Sequence, residues 1–166
     1  IDDYNKSVLI TSDMLNNVTN DLSVAGFKVG DAVTYNDLLY GTLLKSGADA
    51  TNILAISISG SINNFVSLMN NKAKDLGCTS TYFITPNGLD AKDDNGIHST
   101  TAYDLCKIMA YCIKNDSFLK ITQTNEYSFN SDKSSYTVTN ANAFLNMYPD
   151  IISGKTGFTC DAGYCY

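Results

Sequence analysis

The hydrophobic and polar positions in the first third of the chain predict two consecutive helices. Thr34 and Asp37 have the spacing of a capping box, and apolar residues follow at helical intervals: Leu38, Leu39, Leu43 and Leu44. Ser46-Gly47 ends this helix. The segment 48–59 is apolar and rich in β-branched residues, so it predicts a second helix in a buried position.

Two further helices are predicted downstream, each with a polar residue at its start. Ser61 begins one that carries a single apolar stripe, and Gly77 ends it as a helix C-terminal glycine. Ser99-Thr100 begins the other, whose apolar residues recur at helical spacing: Leu105, Ile108, Met109, Cys112 and Ile113. Between these helices the sequence predicts a turn at 86–88 and a polar loop at 93–96.

The last third of the chain predicts strands. The segments 126–130 and 135–139 alternate apolar and polar residues around a polar turn, which indicates a β-hairpin. A last strand is predicted from about Ile151 through Lys155-Thr156-Gly157. Helices followed by antiparallel strands indicate an α/β (α+β) architecture. Because the sequence stops inside a further predicted strand, 163–166, we expect both ends to be trimmed from a larger domain.

The composition indicates one globular domain over residues 1–166, with 44% hydrophobic residues available for a core. A net charge of −6 argues against nucleic-acid binding, which needs clustered Lys and Arg. The sequence contains no Arg, so a ligand's carboxylate must be held by Lys, hydroxyl groups or backbone amides. We expect no cofactor.

The five cysteines show no paired metal-binding spacing, and with one histidine a zinc site is not expected: Cys78, Cys106, Cys112, Cys160 and Cys165. Cys106 and Cys112 fall in an apolar helical pattern, which predicts small buried hydrophobic residues. Cys160 and Cys165 are close enough in sequence to form a disulfide only if a turn lies between them.

The run Ser153-Gly154-Lys155-Thr156-Gly157-Phe158-Thr159 combines a cation, hydroxyl groups and residues without side chains. In an extended strand Lys155 and Gly157 share one face, and Gly157 leaves room for a ligand against the backbone. A peptide-like ligand would then pair with this edge as an added strand, while Lys155 and the Thr hydroxyls bind its carboxylate. Taken alone, Lys-Thr-Gly is a weak signal, and a turn that leads into an ordinary strand is the favoured interpretation.

Other stretches accompany Lys-Thr-Gly in a fixed order: Val29-Gly30-Asp31, Tyr35-Asn36-Asp37-Leu38-Leu39-Tyr40-Gly41, Leu44-Lys45-Ser46-Gly47-Ala48-Asp49-Ala50, Phe65-Val66-Ser67-Leu68-Met69-Asn70, Pro86-Asn87-Gly88-Leu89-Asp90, His98-Ser99-Thr100-Thr101-Ala102-Tyr103-Asp104-Leu105 and Ala162-Gly163-Tyr164. Together these motifs resemble the serine D-alanyl-D-alanine carboxypeptidases, the low-molecular-mass penicillin-binding proteins. The resemblance covers the chain from about residue 23 onward. It implies a β-lactamase/DD-peptidase-like fold, present here as a partial domain with part of its antiparallel sheet.

The resemblance also implies an activity, the hydrolysis of peptidoglycan stem peptides that end in D-Ala-D-Ala through an acyl-enzyme. By motif position, Ser46 is implied to relay the leaving-group proton and Lys155 to stabilise the anionic substrate end. Thr156 and Thr159 are implied to bind the terminal carboxylate beside Gly157, and the backbone N–H of Phe158 to form part of the oxyanion hole. β-Lactams are implied as covalent inhibitors, and the location as extracytoplasmic, in a bacterial cell envelope.

The chain departs from the family pattern at two places. The nucleophile's Ser-x-x-Lys motif is expected upstream of Ile1, and we interpret the same letters at 117–120 as a coincidence. Ala48 replaces the usual Asn of the second motif, which removes a donor and an acceptor. Either substrate binding is weaker, or a neighbour such as Asn52 replaces the lost amide. Without its nucleophile the fragment is expected to be inactive.

Three other interpretations remain at this point. A class A β-lactamase needs a loop glutamate, but the one Glu, Glu126, lies in a predicted hairpin strand. A non-catalytic homologue that binds peptidoglycan or β-lactams is favoured by Ala48, and an unrelated structural domain is the third interpretation. His98 is interpreted as a loop residue before a helix, and Asp49 and Asp104 as structural hydrogen-bonding residues.

Overall fold

The computed structural model describes residues 1, 3–16, 18–19 and 21–165. Its helices are α1 (Tyr35–Leu43), α2 (Ala48–Ser59), α3 (Ile62–Asp75), α4 (Ala102–Cys112), α5 (Asp116–Thr122) and α6 (Phe144–Met147). Its strands are β1 (Ser7–Leu9), β2 (Ala32–Thr34), β3 (Lys92–Asp93), β4 (Gly96–Ile97), β5 (Glu126–Asn130), β6 (Ser135–Thr139), β7 (Gly157–Thr159) and β8 (Gly163–Cys165). A short 3-10 helix spans Asp13–Leu15.

Helix α2 lies at the centre of the helical cluster and packs against α1 and α3. All of its residues from Ala48 to Ala55 are buried, which explains why its sequence is apolar on most sides. Gly60 ends the helix with a φ of 81°, a left-handed conformation that a residue with a Cβ adopts at a cost. The Ser61 side chain then accepts the N–H of Asn64 and begins α3.

The capping box at the start of α1 is present. The Thr34 hydroxyl accepts the backbone N–H of Asp37 at 3.2 Å, and the Asp37 carboxylate accepts the N–H of Thr34 at 2.9 Å. Tyr127 of β5 donates its hydroxyl to the same carboxylate at 2.9 Å. Burial, followed by this hydrogen bond, raises the pKa of Tyr127 to about 12. One carboxylate therefore both starts the helix and attaches the β5–β6 hairpin to it.

The strands form four separate antiparallel pairs: β1 with β2, β3 with β4, β5 with β6 and β7 with β8. The β5–β6 hairpin packs on the first pair and on α1, because Asp132 accepts the N–H of Ala32 at 3.0 Å and Tyr136 donates its hydroxyl to the buried Asp31. The largest core cluster joins these elements to α2: Val8, Ile10, Phe27, Val33, Tyr35, Leu38, Ala50, Ile53, Leu54, Phe129 and Tyr136.

The structure confirms the helices predicted at 34–44 and 48–59, the helix between Ser61 and Gly77, and the hairpin. Three expectations need correction. The fourth helix begins at Ala102, with Thr101 as its N-cap, and the loop at 93–96 forms the turn of a small β3–β4 hairpin. The strand predicted from about Ile151 begins at Gly157 in the described residues, and the residues before it are held by hydrogen bonds from side chains of α5. Of the predicted terminal strand, Tyr166 lies outside the described residues.

None of the helices in the described residues combines the length and the apolar character that a membrane span requires. Helices α2 and α3 together meet the criteria of length and composition, but they are bent by 86° at their junction.

Candidate functional site

The first wall of the site is the short connection between α1 and α2. Ser46 has a φ of 58°, and it is the one residue other than glycine with a positive φ in the described part of the chain. A left-handed serine is uncommon and marks a backbone that its surroundings hold in place. Here Gly47 donates its N–H to the carbonyl of Gly41 at 3.0 Å and accepts the Thr51 hydroxyl at 2.8 Å.

Gly47 fits this connection because it has no side chain. A Cβ at this position would lie 2.8 Å from Oδ1 of Asp49, 3.0 Å from the carbonyl oxygen of Gly41 and 3.1 Å from the backbone nitrogen of Ala25. Two of these atoms belong to the backbone and cannot move aside easily. The close packing around Gly47 therefore fixes the direction in which Ser46 presents its hydroxyl.

The carboxylate of Asp49 holds a neighbouring loop against this connection. It is 2% exposed and accepts the N–H groups of Ala25 and Gly26, both at 2.8 Å, and that of Phe27 at 3.0 Å. Ser23 completes the contact by accepting the N–H of Ala48 at 2.9 Å. The structural role predicted for Asp49 is confirmed.

Lys155 brings the second wall to the first. Its Nζ donates to the hydroxyl of Ser46, 109 residues earlier in the sequence, at 2.9 Å. The same Nζ also donates to the carbonyl of Thr156. Burial lowers the pKa of the Lys155 ammonium below its ordinary value, because a charge in a poorly solvated place is unfavourable. A lysine with a lowered pKa gives up its proton more readily, and the side-chain partner of Lys155 is the Ser46 hydroxyl.

Side chains of α5 hold the segment that leads to Lys155. The hydroxyl groups of Thr122 and Ser153 lie 2.8 Å apart, and Gln123 donates to the carbonyl of Ile152 at 2.8 Å. The β7–β8 hairpin follows, with Phe158 opposite Tyr164. Lys155 therefore has an anchored residue on one side and a hairpin on the other.

A cavity of about 1210 Å³ opens between the two walls, and its lining is mainly apolar. All six residues predicted for the site line it: Ser46, Lys155, Thr156, Gly157, Phe158 and Thr159. The opposite side consists of apolar residues from α3, the 83–89 loop, α4 and α5, among them Met69, Phe83, Met109 and Phe118. Charges act strongly in such surroundings, because little water screens them.

The β7 residues offer donors toward the cavity. The Thr159 hydroxyl accepts the N–H of Ala162 at 3.0 Å, so its own proton remains available to a ligand. A Cβ added to Gly157 would contact nothing within 4 Å, which confirms open space beside the backbone there. Phe158 exposes 61% of its surface, so its ring does not close this edge.

His98 lines the cavity, yet its nitrogen is already occupied. Nδ1 accepts the backbone N–H groups of Ile84 at 3.0 Å and Thr85 at 3.2 Å. Burial lowers the pKa of His98, against the opposing effect of the Asp90 carboxylate. The interpretation as a loop residue is confirmed, and His98 shapes one side of the cavity by holding the 84–85 backbone.

Asp104 is likewise structural. Burial acts to raise the pKa of Asp104, but hydrogen bonds from the Ser80 N–H and the Thr81 hydroxyl, together with Lys107, lower it. Its hydrogen bonds tie the start of α4 to the segment after α3.

Several other sequence candidates lie away from the cavity. Asn52 is buried one turn inside α2 and is not part of the cavity lining as described, so the prediction that it replaces the lost amide of Ala48 is wrong. Ser117 and Lys120 also lie outside that lining, which agrees with a coincidental Ser-x-x-Lys on α5. Glu126 is exposed at the start of β5 and does not reach the described cavity wall.

All five cysteines are free thiols. Cys78 is buried, but Cys106 is exposed on the cavity side of α4, so the prediction of a buried Cys106 is wrong. Cys112 is half-buried, and burial raises the pKa of its thiol. A turn does separate Cys160 from Cys165, but the strand register places Cys165 opposite Gly157.

Asn142 is a polar residue of the cavity lining that the sequence does not predict. Asn142 lies in the loop between β6 and α6, is 6% exposed and lines the cavity. An isolated Asn in a polar segment has no periodic signal, and only its repetition with Asn140 as Asn-Ala-Asn sets it apart.

Residues 3–166, nearly the whole chain, match the D-alanyl-D-alanine carboxypeptidase family. The chain belongs to this family. It is 40% identical over 139 residues to the D-alanyl-D-alanine carboxypeptidase DacB2 of Mycobacterium tuberculosis, which covers 84% of the chain and 47% of that protein. It is 34% identical over 166 residues to the D-alanyl-D-alanine carboxypeptidase DacF of Bacillus subtilis, and the alignment covers 96% of this chain and 41% of that protein.

Solved structures of the D-alanyl-D-alanine carboxypeptidase family and related DD-peptidases have the same fold. A D-alanyl-D-alanine carboxypeptidase of Mycobacterium tuberculosis superposes with a TM-score of 0.87 at 36% identity, over 98% of this chain and 59% of that one. A Streptomyces DD-transpeptidase gives the same TM-score at 31% identity, and the superposition covers 98% of this chain and 66% of that one. The predicted family and the DD-peptidase fold are confirmed. The chain spans about half the length of the curated relatives named above.

Proposed function

We propose that this chain forms two walls of a serine-type D-Ala-D-Ala carboxypeptidase site that acts on peptidoglycan stem peptides through an acyl-enzyme. One observation carries the proposal. The 2.9 Å hydrogen bond between Lys155 and Ser46 joins two motifs, 109 residues apart, at the wall of an apolar cavity large enough for a peptide end. Membership of the family supports the same reaction.

Each residue has a defined part in the proposed reaction. The Lys155 ammonium attracts the peptide's terminal carboxylate, and the hydroxyls of Thr156 and Thr159 donate to it. The backbone N–H of Phe158 binds the oxyanion that forms when the carbonyl is attacked. The Ser46 hydroxyl relays the proton that the nucleophile loses to the amine of the leaving D-alanine, while Lys155, whose pKa is lowered by burial, donates a hydrogen bond to Ser46.

The proposal assigns the nucleophile to a Ser-x-x-Lys segment outside the printed sequence. The one match to these letters, Ser117 to Lys120, lies on α5 and away from the described cavity wall. We therefore expect the printed chain alone to be inactive. The site of action we propose is extracytoplasmic, at the cell envelope, since the proposed substrate is there.

A second candidate is a non-catalytic homologue that binds stem peptides or β-lactams. Ala48 favours it, because the second motif of this chain offers the cavity a methyl group in place of a carboxamide. Both candidates predict reversible recognition of a D-Ala-D-Ala end, and they differ in acylation.

Labelling with a fluorescent penicillin separates the candidates. The product of the whole gene is expected to form an adduct that survives denaturation and to release D-alanine from diacetyl-L-Lys-D-Ala-D-Ala. Lys155→Ala is expected to slow both reactions by about 100- to 10,000-fold, the range for loss of an acid–base group. Lys45→Ala, a change of the same kind at an exposed residue beside the site, serves as the matched control.

The outcomes distinguish the two candidates from failure of both. Peptide binding by the whole gene product without acylation or release would support the non-catalytic homologue. A covalent adduct on the printed chain alone would refute the assignment of the nucleophile to another segment. If the whole gene product shows no binding and no acylation, the proposed function is refuted.

A further inference from the structure

The side chain of Asn142 presents an unshared hydrogen-bond donor at the cavity. It is 6% exposed, and its Oδ1 accepts the N–H of Phe144 at 3.2 Å. This contact fixes the orientation of the amide, because its Nδ2 group cannot accept a hydrogen bond. Within the described residues, Nδ2 itself has no hydrogen-bond partner. A donor without a partner in a largely buried side chain gains free energy when a ligand or a water accepts it.

Asn142 lies between the two walls of the site. Its neighbour Ala141 donates its backbone N–H to the carbonyl of Leu44 at 2.9 Å, two residues before Ser46. On the other side, a Cβ on Gly154 would lie 3.1 Å from Nδ2 of Asn142. The amide nitrogen is therefore next to the residue that precedes Lys155 and close to the connection that carries Ser46.

The loop that carries Asn142 is held firmly by Asn140. The Asn140 amide donates to the carbonyls of Thr122 and Thr124, both at 2.9 Å, and its Oδ1 accepts the N–H of Asn142 at 2.9 Å. A donor on a fixed backbone keeps its direction without a further loss of entropy on binding. Asn142 thus has the rigidity that a recognition group needs.

We propose that Nδ2 of Asn142 donates a hydrogen bond to a backbone carbonyl of the acyl-D-alanyl peptide, in place of the carboxamide that Ala48 lacks. This inference rests on the proposed function above. Ala48 lines the same cavity with a methyl group, and Asn52 lies outside the described lining. In a largely apolar cavity a few directed polar groups set the orientation of the ligand. Asn142 supplies a hydrogen-bond donor, which complements the acceptor of a peptide carbonyl.

The test compares variants of the whole gene product by release of D-alanine from diacetyl-L-Lys-D-Ala-D-Ala. Asn142→Asp keeps an oxygen for the N–H of Phe144 but loses the donor, and Asn142→Ala loses both groups. Because one neutral hydrogen bond is lost, we expect KM to rise about 3- to 10-fold in both variants, with a smaller change in kcat. Adding Ala48→Asn to Asn142→Ala is expected to lower KM again. Asn146→Asp, the same substitution at an exposed residue of α6, is expected to leave KM unchanged.

Each result decides the inference. A purely structural role would lower the melting temperature and leave KM unchanged, and this result would overturn the inference while the wild-type activity upheld the proposed function. An equal rise in KM for Asn146→Asp would assign the effect to charge and would also overturn it. If the wild-type protein binds the peptide without turnover, the same variants are ranked by Kd. If it shows neither binding nor release, the proposed function and this inference fail together.

Discussion

Replacing Asp49 with alanine removes the carboxylate that holds the 25–27 loop beside the site. Three backbone N–H groups of the loop lose their acceptor, those of Ala25, Gly26 and Phe27 at 2.8, 2.8 and 3.0 Å. The N–H of Ala50 in α2 also loses a bond to this carboxylate, at 2.8 Å. A hydrogen bond to a charged group contributes about 1.5–3 kcal/mol, so the gross loss for the three loop bonds is about 4.5–9 kcal/mol. Gly26 is exposed and Ala25 is half-buried, so water can accept the hydrogen bonds of these two N–H groups in place of the lost carboxylate. We therefore expect a net loss of about 3–4 kcal/mol in the free energy of unfolding.

Urea and thermal unfolding of the whole gene product measure this loss. At about 2–4 °C per kcal/mol for 150–250 residues, and less for a longer protein, a loss of about 3–4 kcal/mol lowers the melting temperature by about 10 °C or less. Asp75→Ala, which removes an exposed carboxylate at the end of α3, is the matched control and is expected to change stability by less than about 0.5 kcal/mol. A loss below about 1 kcal/mol for Asp49→Ala would refute the view that this carboxylate holds the loop.

Three further predictions concern the site. Burial lowers the pKa of His98 below 6.5, so below about that pH the unfolded chain binds more protons than the folded one. Stability should therefore fall on acidification. Urea unfolding at a series of pH values tests this, and His98→Gln should reduce the dependence of stability on pH. Gly47→Ala introduces a Cβ 2.8 Å from Oδ1 of Asp49 and is expected to lower the unfolding free energy by about 1–3 kcal/mol. Acylation by fluorescent penicillin is expected to be slower. An unchanged acylation rate would show that the packing around Gly47 does not set the direction of Ser46. The pKa of Lys155 is lowered from 10.5, so the stability of the wild-type protein should rise as the pH increases toward 10.5, and Lys155→Met should lack this rise in unfolding experiments at alkaline pH.

The helices were predictable because their signals are local. The capping box of Thr34 and Asp37 and the glycines after α2 and α3 act within a few residues of the backbone that they control. The helix predicted at 48–59 has the same bounds in the structure, although its centre is β-branched, since burial on every side favours it there.

The beginning of the last strand was not predictable from local pattern. A strand needs a partner along its length, and within the described residues β8 pairs with β7 from Thr159 to Gly157. What holds the segment before Gly157 is a pair of contacts from α5, through Thr122 and Gln123. Tertiary contacts of this kind leave no periodic trace in the sequence.

The motif residues of the site were identified from the sequence, but their geometry was not. Ser46 and Lys155 could be named from the resemblance, whereas the left-handed backbone of Ser46 depends on the packing around Gly47. Asn142 was missed because its significance depends on burial beside Gly154, which only the folded chain reveals.

The bond between Ser46 and Lys155 also constrains how the chain acquires its site during synthesis. It closes a loop of more than one hundred residues, and contacts of such long range form late, since much chain entropy is lost before they contribute. Until the β7–β8 hairpin has been made, the apolar side of the cavity has no cover from that wall and is exposed to other chains. The β7–β8 hairpin thus reduces the apolar surface that a nascent chain exposes once its residues have been synthesised.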